Sequence, residues 1–404
     1  MANVDAHPNP LPSWTVGVAG LLSLAVAMGI GRFAFTPMLP LMVQAGQLDV
    51  AAGSWIAAAN YAGYLAGALT AGRVGWPAPR LAAVALLATA ALTAAMAWPG
   101  PTAWWAALRF VAGVASAWAF VATSLWCLAA LARRPAGPWS SALYAGVGAG
   151  IALAGLECLV GAARGWSAQG LWLQLAALAL ALTLPVLWVL RQLRPADAGA
   201  AAVPASAPSP ASSHRGLVLS YSVLGFGYIL PATFLPVMAR SVAADAHLFG
   251  LAWPVFGITA AISTLVAARA LQRLGRLKVW ATSHLLMGLG VLLPSLWLSG
   301  WTIALSALLV GGTFMVVTLA GVQEIRARAA GDAARMVGRM TAAFAVGQIV
   351  GPVVSALLLK VAPAHGLDFA MQAAALALAA SGLWLWRAGA TTSLATSQET
   401  SHAR

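Results

Sequence analysis

Charged residues are scarce in this chain. Asp, Glu, Lys and Arg together make up 8% of its 404 residues, whereas an ordinary soluble domain carries roughly 25%. Hydrophobic residues make up 61% of the chain, and they form long apolar runs instead of short alternating ones. Such runs argue against a soluble protein and against a membrane β-barrel, and they predict an all-α integral membrane protein.

Cysteines and acidic residues are also few. The two cysteines, Cys127 and Cys158, lie in apolar runs without the spacing of a metal site, so we expect neither a disulfide framework nor a bound metal. The sequence has no phosphate-binding loop and no nucleophile triad. We therefore expect no cofactor and no enzymatic activity, and ATP-driven transport by this chain alone is disfavoured.

Twelve hydrophobic segments can be counted, six on each side of a central stretch rich in alanine, proline and serine. Segments of this length predict transmembrane helices. The composition of 191–215 is typical of a flexible, solvated linker, and the polar stretch 391–404 predicts a disordered tail. The chain is therefore expected to form two six-helix halves, 1–190 and 216–390. The predicted segments are 14–42, 52–71, 80–98, 103–132, 140–163, 168–190, 216–239, 248–270, 277–297, 301–325, 336–360 and 367–388.

Positive charges lie mainly on one side of these segments. Of the 22 Lys and Arg residues, 17 fall on the side of the central linker, and three fall on the other side, at Arg164, Arg240 and Lys360. By the positive-inside rule, the linker side is the cytoplasm and both termini lie there. The net charge of +13 thus reflects orientation in a membrane, and we expect no nucleic acid partner.

The two halves carry related sequences. The run Gly29–Met42 is echoed by Gly225–Met238 at an offset of 196 residues, with matching glycines and a matching Leu-Pro pair. A Gly-x-x-x-Gly motif in the fifth segment recurs in the eleventh. These echoes indicate an internal duplication, and two parallel six-helix halves are a plan that many secondary transporters share.

Arg32 is a full charge inside the first segment, beside Phe33 and Phe35. A charge near the middle of a membrane is costly, so it normally faces a protein interior or a water-filled cavity. The counterpart of Arg32 in the second half is the uncharged Tyr228. We predict that Arg32 lines the substrate pathway; the alternative is a structural arginine that locks two helices by pairing with a carboxylate.

Other polar and aromatic residues are candidates for the same pathway. Asn60, Tyr61 and Tyr64 fall within about one helical turn of the second segment, and Tyr61 and Tyr64, three residues apart, share a face that could line a cavity. The remaining pathway candidates are Phe35, Tyr228 and Gln348.

Arg109 in the fourth segment and Glu157 in the fifth are further buried charges. Both lie at a similar depth, and consecutive helices are usually neighbours, so Glu157 could pair with Arg109 or with Arg32. A buried carboxylate near an arginine can be poised to exchange a proton. We predict Glu157 as the proton-coupling residue and Arg109 as a pathway residue; a static salt bridge is the alternative.

Prolines and glycines mark positions where helices can bend. Proline removes a backbone donor, so Pro37 and Pro40 are expected to bend the outer part of the first helix. The other predicted hinge positions are Pro231, Pro236, Gly351 and Pro352.

The run Gly29–Met42, together with Asn60–Gly67 and the run from Gly347 to Pro352, resembles the YbfB/YjiJ-type family of major facilitator superfamily (MFS) transporters. The resemblance covers nearly the whole chain. It implies the twelve-helix MFS fold and secondary transport by a bacterial inner-membrane protein, and it does not imply a substrate.

The loop after the eighth segment resembles the MFS loop signature, in which a glycine turn carries cations between adjacent helices. The acidic residue of that signature is missing here. We expect Glu324 to form an inner gate with nearby arginines; the alternative is that it binds substrate. For the loop cations, the alternative is that they only set the topology. The loop residues are Arg273, Gly275, Arg276 and Lys278, with a degenerate copy at Arg73 and Gly75.

These features predict a secondary transporter that works by alternating access as a monomer in the lipid bilayer. Arg32 and Arg109 favour a small organic anion or a polar metabolite as the substrate, and protons are the expected coupling ion. A proton-driven exporter of hydrophobic compounds is the first alternative, because aromatic residues surround the pathway. A membrane sensor or scaffold without flux is the second.

Overall fold

The computed structural model describes residues 11–134, 139–193, 214–242, 251–328 and 333–402, and these residues contain helices and no strand. The first predicted segment is split into two α-helices, and each later segment corresponds to one helix. The α-helices are α1 (Ser13–Leu24), α2 (Phe35–Gln44), α3 (Val50–Thr70), α4 (Ala78–Ala95), α5 (Thr102–Ala132), α6 (Trp139–Ala163), α7 (Ala168–Gln192), α8 (Arg215–Val242), α9 (Ala252–Leu274), α10 (Arg276–Leu296), α11 (Gly300–Arg328), α12 (Ala333–Val361) and α13 (Gly366–His402).

Ten helical stretches in the described part of the chain are long and apolar enough to cross a membrane, with Ser13–Gln44 counted as one. The two predicted spans outside this group correspond to α3 and α9. Helix α3 carries Asn60, Tyr61 and Tyr64, which lower its hydropathy, and the apolar part of α9 is only Ala252–Ala267. The predicted all-helical membrane architecture is confirmed, and ten of its twelve spans meet this criterion.

The two halves pack against each other through α2 and α8, α3 and α12, and α6 and α9. The last pair approaches through small residues. A Cβ atom on Gly148 would lie 2.4 Å from the backbone nitrogen of Ala261, and one on Gly257 would lie 2.3 Å from that of Ala152. Real side chains never come this close to backbone, so glycine is required where the halves meet.

The first span is broken, but not where the prolines predict. A π-helix occupies Ala25–Ile30, and turns at 31–34 separate it from α2. Pro37 explains part of this break. Because Pro37 has no N–H, the carbonyl of Phe33 accepts instead from the backbone N–H of Thr36, at 3.1 Å. The predicted bend therefore lies one turn earlier than Pro37 and Pro40.

Helix α8 continues without interruption through Pro231 and Pro236, and α12 continues through Gly351 and Pro352. The position that corresponds to Pro37 in the echoed run is Thr233. The second half therefore lacks the proline that disturbs the first, and the two echoed helices differ in shape.

We call the end of the bundle at which α7 ends and α8 begins the linker end, and the opposite end the far end. The predicted linker at 191–215 lies mostly outside the described residues. At the other terminus, α13 extends to His402, so the structure differs from the predicted disordered tail at 391–404. No proline or glycine follows Gly389, and extending an existing helix requires no new nucleation.

Candidate binding site

Arg32 lies at the centre of the bundle with only 3% of its surface exposed. Its guanidinium carbon lies 4.0 Å from the centroid of the Tyr64 ring and 5.3 Å from that of Tyr61. The guanidinium also donates to the side-chain oxygen of Gln348 on α12. Arg32 therefore faces the interface between the two halves, where cation–π contacts offset part of the cost of its burial.

Arg109 on α5 supports the broken first span. It is 1% exposed, and its two terminal nitrogens donate to the carbonyl oxygens of Gly31 at 2.9 Å and Arg32 at 2.5 Å. In a regular helix the Arg32 carbonyl would accept from the backbone N–H of Thr36, but that N–H donates to the carbonyl of Phe33. The fork of Arg109 thus fills the place of a missing helix donor, and it fixes the backbone from which Arg32 projects.

Neither arginine forms an ion pair with a carboxylate in the part of the chain that the structure describes. The Nε atoms of Arg32 and Arg109 are both buried without a hydrogen-bond partner. Two buried cations without a compensating anion are costly. The site is therefore electropositive and suited to an anionic ligand.

Glu157 does not take part in this site. It is half-buried on α6, and among the described residues it makes no hydrogen bond or ion pair. The predicted pairing of Glu157 with Arg32 or Arg109 is wrong for this structure, because Arg109 is used by backbone carbonyls and Arg32 by Gln348.

Hydrogen bonds from the first half reach α8 at this level. The hydroxyl of Thr36 donates to the carbonyl of Ala232 at 2.6 Å, and the hydroxyl of Tyr61 lies 3.1 Å from that of Thr233. The Ala232 carbonyl is available because its helical donor would be the nitrogen of Pro236, which has no hydrogen. A proline in one half thus creates the acceptor that binds the other half.

Tyr228 joins Gln348 to a column of aromatic rings. Its hydroxyl accepts from the side-chain nitrogen of Gln348. Its ring is nearly parallel to those of Phe314 and Phe344, with centroids 5.3 Å and 5.6 Å away. The column continues through Phe256 and Trp253 to Phe33. Phe35 lies on the other side of the site, with its ring centroid 5.6 Å from the guanidinium carbon of Arg109.

Asn60 joins this group, because its side-chain nitrogen donates to the backbone carbonyl of Arg109 at 2.8 Å. All eight predicted pathway residues therefore lie together, and their role in a pathway stays a prediction. Sequence reasoning missed Thr36, Thr233 and the aromatic partners of Tyr228. The Ala232 carbonyl, which accepts from Thr36, could have been found from the echoed prolines, since Pro236 frees the carbonyl four residues earlier. The aromatic partners of Tyr228, Phe314 and Phe344, lie on α11 and α12 and carry no shared signal in the sequence.

The predicted gate residues lie apart from this site, at the linker end. Gly75 and Gly275 have φ angles of +68° and +80°, which favour glycine, so both copies of the loop contain a glycine turn. Glu324 is buried and pairs with Arg276 at 2.7 Å and Arg328 at 2.6 Å. This cluster joins α10 to α11 within one half. The remaining loop cations, Arg73, Arg273 and Lys278, are exposed.

Comparison with known proteins identifies the class of transporter. The model of the family described as "uncharacterised MFS-type transporter YbfB" matches residues 24–384. No curated protein matches the chain.

Among solved structures, the nucleoside transporter NupG is similar, with a TM-score of 0.70 and 15% sequence identity over 93% of this chain and 98% of that one. A point mutant of NupG gives the same TM-score with 16% identity over the same shares. At this level of identity the likeness concerns the fold alone. Given the helical architecture, the duplicated halves and a family match over most of its length, the chain belongs to the YbfB family of MFS-type membrane transporters.

Proposed function

We propose that the protein moves a small organic anion across the membrane by alternating access, and that Arg32 binds the anionic group. One observation carries this proposal: two buried arginines at the centre of the bundle have no carboxylate partner among the described residues. A carboxylate bound to the free edge of Arg32 would supply the missing charge through a charge-assisted hydrogen bond.

The contacts between the halves support alternating access. Four side-chain hydrogen bonds between described residues join the halves, and they lie between the middle of the bundle and the far end. They are Arg32 to Gln348, Thr36 to Ala232, Tyr61 to Thr233 and Arg240 to Gln44. This arrangement corresponds to a state closed at the far end. Substrate would exchange at the linker end, and rocking of the halves about the glycine contacts of α6 and α9 would open the other end.

Two other substrate classes compete with an anion. NupG is a nucleoside transporter, and the aromatic column around Tyr228 would suit hydrophobic compounds. An uncharged ligand would leave both arginines uncompensated, and we therefore favour the anion. Flux of labelled carboxylates, uridine and a hydrophobic cation into proteoliposomes separates the three classes, and absence of any flux would favour the sensor or scaffold.

The linker end is proposed to face the cytoplasm, with both termini there, because 17 of the 22 positive residues lie on that side. Single cysteines at Ser206 and Gly100 test this orientation in intact cells with an impermeant thiol reagent. We expect labelling at Gly100 and protection at Ser206. The reverse pattern would overturn the orientation.

Glu157 is proposed to carry the coupling proton. It is the one described carboxylate within the membrane-spanning part of the first half, and it is not neutralised by an arginine. The substitution Glu157→Gln is expected to abolish accumulation of substrate driven by a proton gradient while exchange of labelled for unlabelled substrate continues. Full gradient-driven accumulation by the variant would rule out this role.

Glu324→Gln provides the matched control for Glu157→Gln. It removes a carboxylate that is already paired with Arg276 and Arg328. We expect this change to affect the stability of the linker end and to leave proton coupling intact. A loss of coupling in both variants would mean that the effect is not specific to Glu157.

A further inference from the structure

Asn60 is a further polar side chain of the site with a buried atom that lacks a partner among the described residues. The residue is 1% exposed, and its side-chain oxygen Oδ1 accepts no hydrogen bond. An acceptor left in this state costs free energy unless a ligand satisfies it. From this we infer that the substrate is a hydroxy acid, whose carboxylate binds Arg32 and whose hydroxyl donates to Asn60; this inference rests on the proposed anion transport.

The direction of the Asn60 amide is set by its neighbour. Its nitrogen Nδ2 donates to the backbone carbonyl of Arg109 at 2.8 Å. A carbonyl can only accept, so the nitrogen must face it and the oxygen must point elsewhere. The two helices are also fixed at this level, because a Cβ on Gly113 of α5 would lie 2.1 Å from the carbonyl oxygen of Asn60.

Asn60 lies on the same face of α3 as Tyr64, a residue that contacts Arg32. Asn60 and Tyr64 are one helical turn apart on α3, so their Cβ atoms are about 5–6 Å from each other. Tyr64 in turn covers the guanidinium of Arg32 at 4.0 Å. A ligand held by Arg32 would therefore present its hydroxyl to this face of α3, where Asn60 lies.

The charge at the site selects a hydroxyl over an ammonium group. An amino acid could also donate to Asn60, but its ammonium would be placed near the buried cations Arg32 and Arg109. No described carboxylate is there to compensate it. Like charges in a buried site repel strongly, and the neutral hydroxyl avoids this cost.

The test compares pairs of acids that differ by one hydroxyl. Suitable pairs are glycolate and acetate, lactate and propionate, and malate and succinate, with alanine as the amine control. Binding to the purified wild-type protein is measured by ligand-induced thermal stabilisation. For each pair that binds, we expect the hydroxy acid to bind roughly tenfold to a hundredfold more tightly, because its deoxy partner leaves Asn60 unsatisfied. Alanine should bind more weakly than lactate.

The substitution Asn60→Leu removes the acceptor with little change in side-chain size and should abolish this preference. Thr183→Val, which removes a buried hydroxyl from α7, is the matched control and should keep it. Equal binding of the two acids of a pair by the wild type would overturn the hydroxy-acid inference and leave anion transport standing, even if Asn60→Leu does not fold. If no acid of the panel binds the wild type while uridine does, the anion proposal itself fails.

Discussion

Replacing Arg32 with lysine is expected to weaken substrate binding by roughly tenfold to a hundredfold while the protein still folds and inserts. Lysine keeps the positive charge, but it lacks the planar fork of donors that binds a carboxylate in two places. Loss of one charge-assisted hydrogen bond is worth roughly 1.5–3 kcal/mol, which corresponds to this range of affinity. Substrate affinity and melting temperature are both measured on the same purified Arg32→Lys protein.

The competing view is that Arg32 only joins the halves through Gln348. On that view, Arg32→Lys lowers the melting temperature and leaves affinity unchanged. Arg80→Lys is the matched control, because Arg80 also lies over an aromatic ring, that of Trp76 at 5.0 Å, but far from the site. The binding role would be contradicted if Arg32→Lys kept normal affinity but had a lower melting temperature, while Arg80→Lys changed neither.

Replacing Arg109 with lysine is expected to lower the stability of the protein more than any other substitution proposed here. A lysine ammonium cannot reproduce the fork that reaches the carbonyls of Gly31 and Arg32. One hydrogen bond to a charged group is worth roughly 1.5–3 kcal/mol, and a buried carbonyl left without a donor costs about 1–3 kcal/mol. The melting temperature without ligand should therefore fall, and substrate affinity should fall with it because the backbone of Arg32 is no longer fixed.

A second substitution separates this positioning role from direct binding. Pro37→Ala restores an N–H for the carbonyl of Phe33, and this releases the N–H of Thr36 to bind the Arg32 carbonyl. The double variant Arg109→Lys, Pro37→Ala should therefore be more stable than the sum of the single effects predicts, by about 0.5–3 kcal/mol as is usual for coupled neighbours. Strict additivity, or a stable Arg109→Lys protein that has lost only affinity, would show that Arg109 does not support the break.

Much of the fold could be predicted because the membrane imposes simple rules. Every backbone group must be satisfied within the bilayer, so a long apolar run becomes a helix. The echo of Gly29–Met42 in Gly225–Met238 predicted two related halves, and the family match agrees with that plan. The end of α13 was not predicted, because the polar composition of this stretch is typical of a disordered tail. The helix instead continues to His402, and no proline or glycine follows Gly389.

The shape of the first span could be predicted only in part. The prolines indicated a bend, but its position depends on which donors replace the ones that are lost. The backbone N–H of Thr36 donates to the carbonyl of Phe33, and the side chain of Arg109, on α5, donates to the carbonyls of Gly31 and Arg32. The replacement of a lost backbone donor by a side chain from another helix depends on tertiary packing. The spacing of residues along one segment does not encode that packing.

The members of the candidate site could be predicted, and their pairing could not. Buried polar residues are rare in membrane helices, so Arg32, Asn60 and Gln348 stood out by type alone. The proposed ion pair with Glu157 assumed that opposite charges at similar depth must meet. The structure instead directs Arg109 toward backbone carbonyls. Carbonyls accept hydrogen bonds from a guanidinium without supplying a negative charge, and they do not appear in a list of charged residues.

Counterflow in proteoliposomes tests the central claim most directly. Vesicles containing the wild-type protein or Arg32→Lys are loaded with an unlabelled carboxylate, its uncharged amide or uridine, and entry of the labelled compound is followed. We expect the wild type to exchange a carboxylate and not the matching amide. We expect Arg32→Lys to lose the exchange of the carboxylate. Exchange of the amide or of uridine at the same rate as the carboxylate, unaffected by Arg32→Lys, would contradict it.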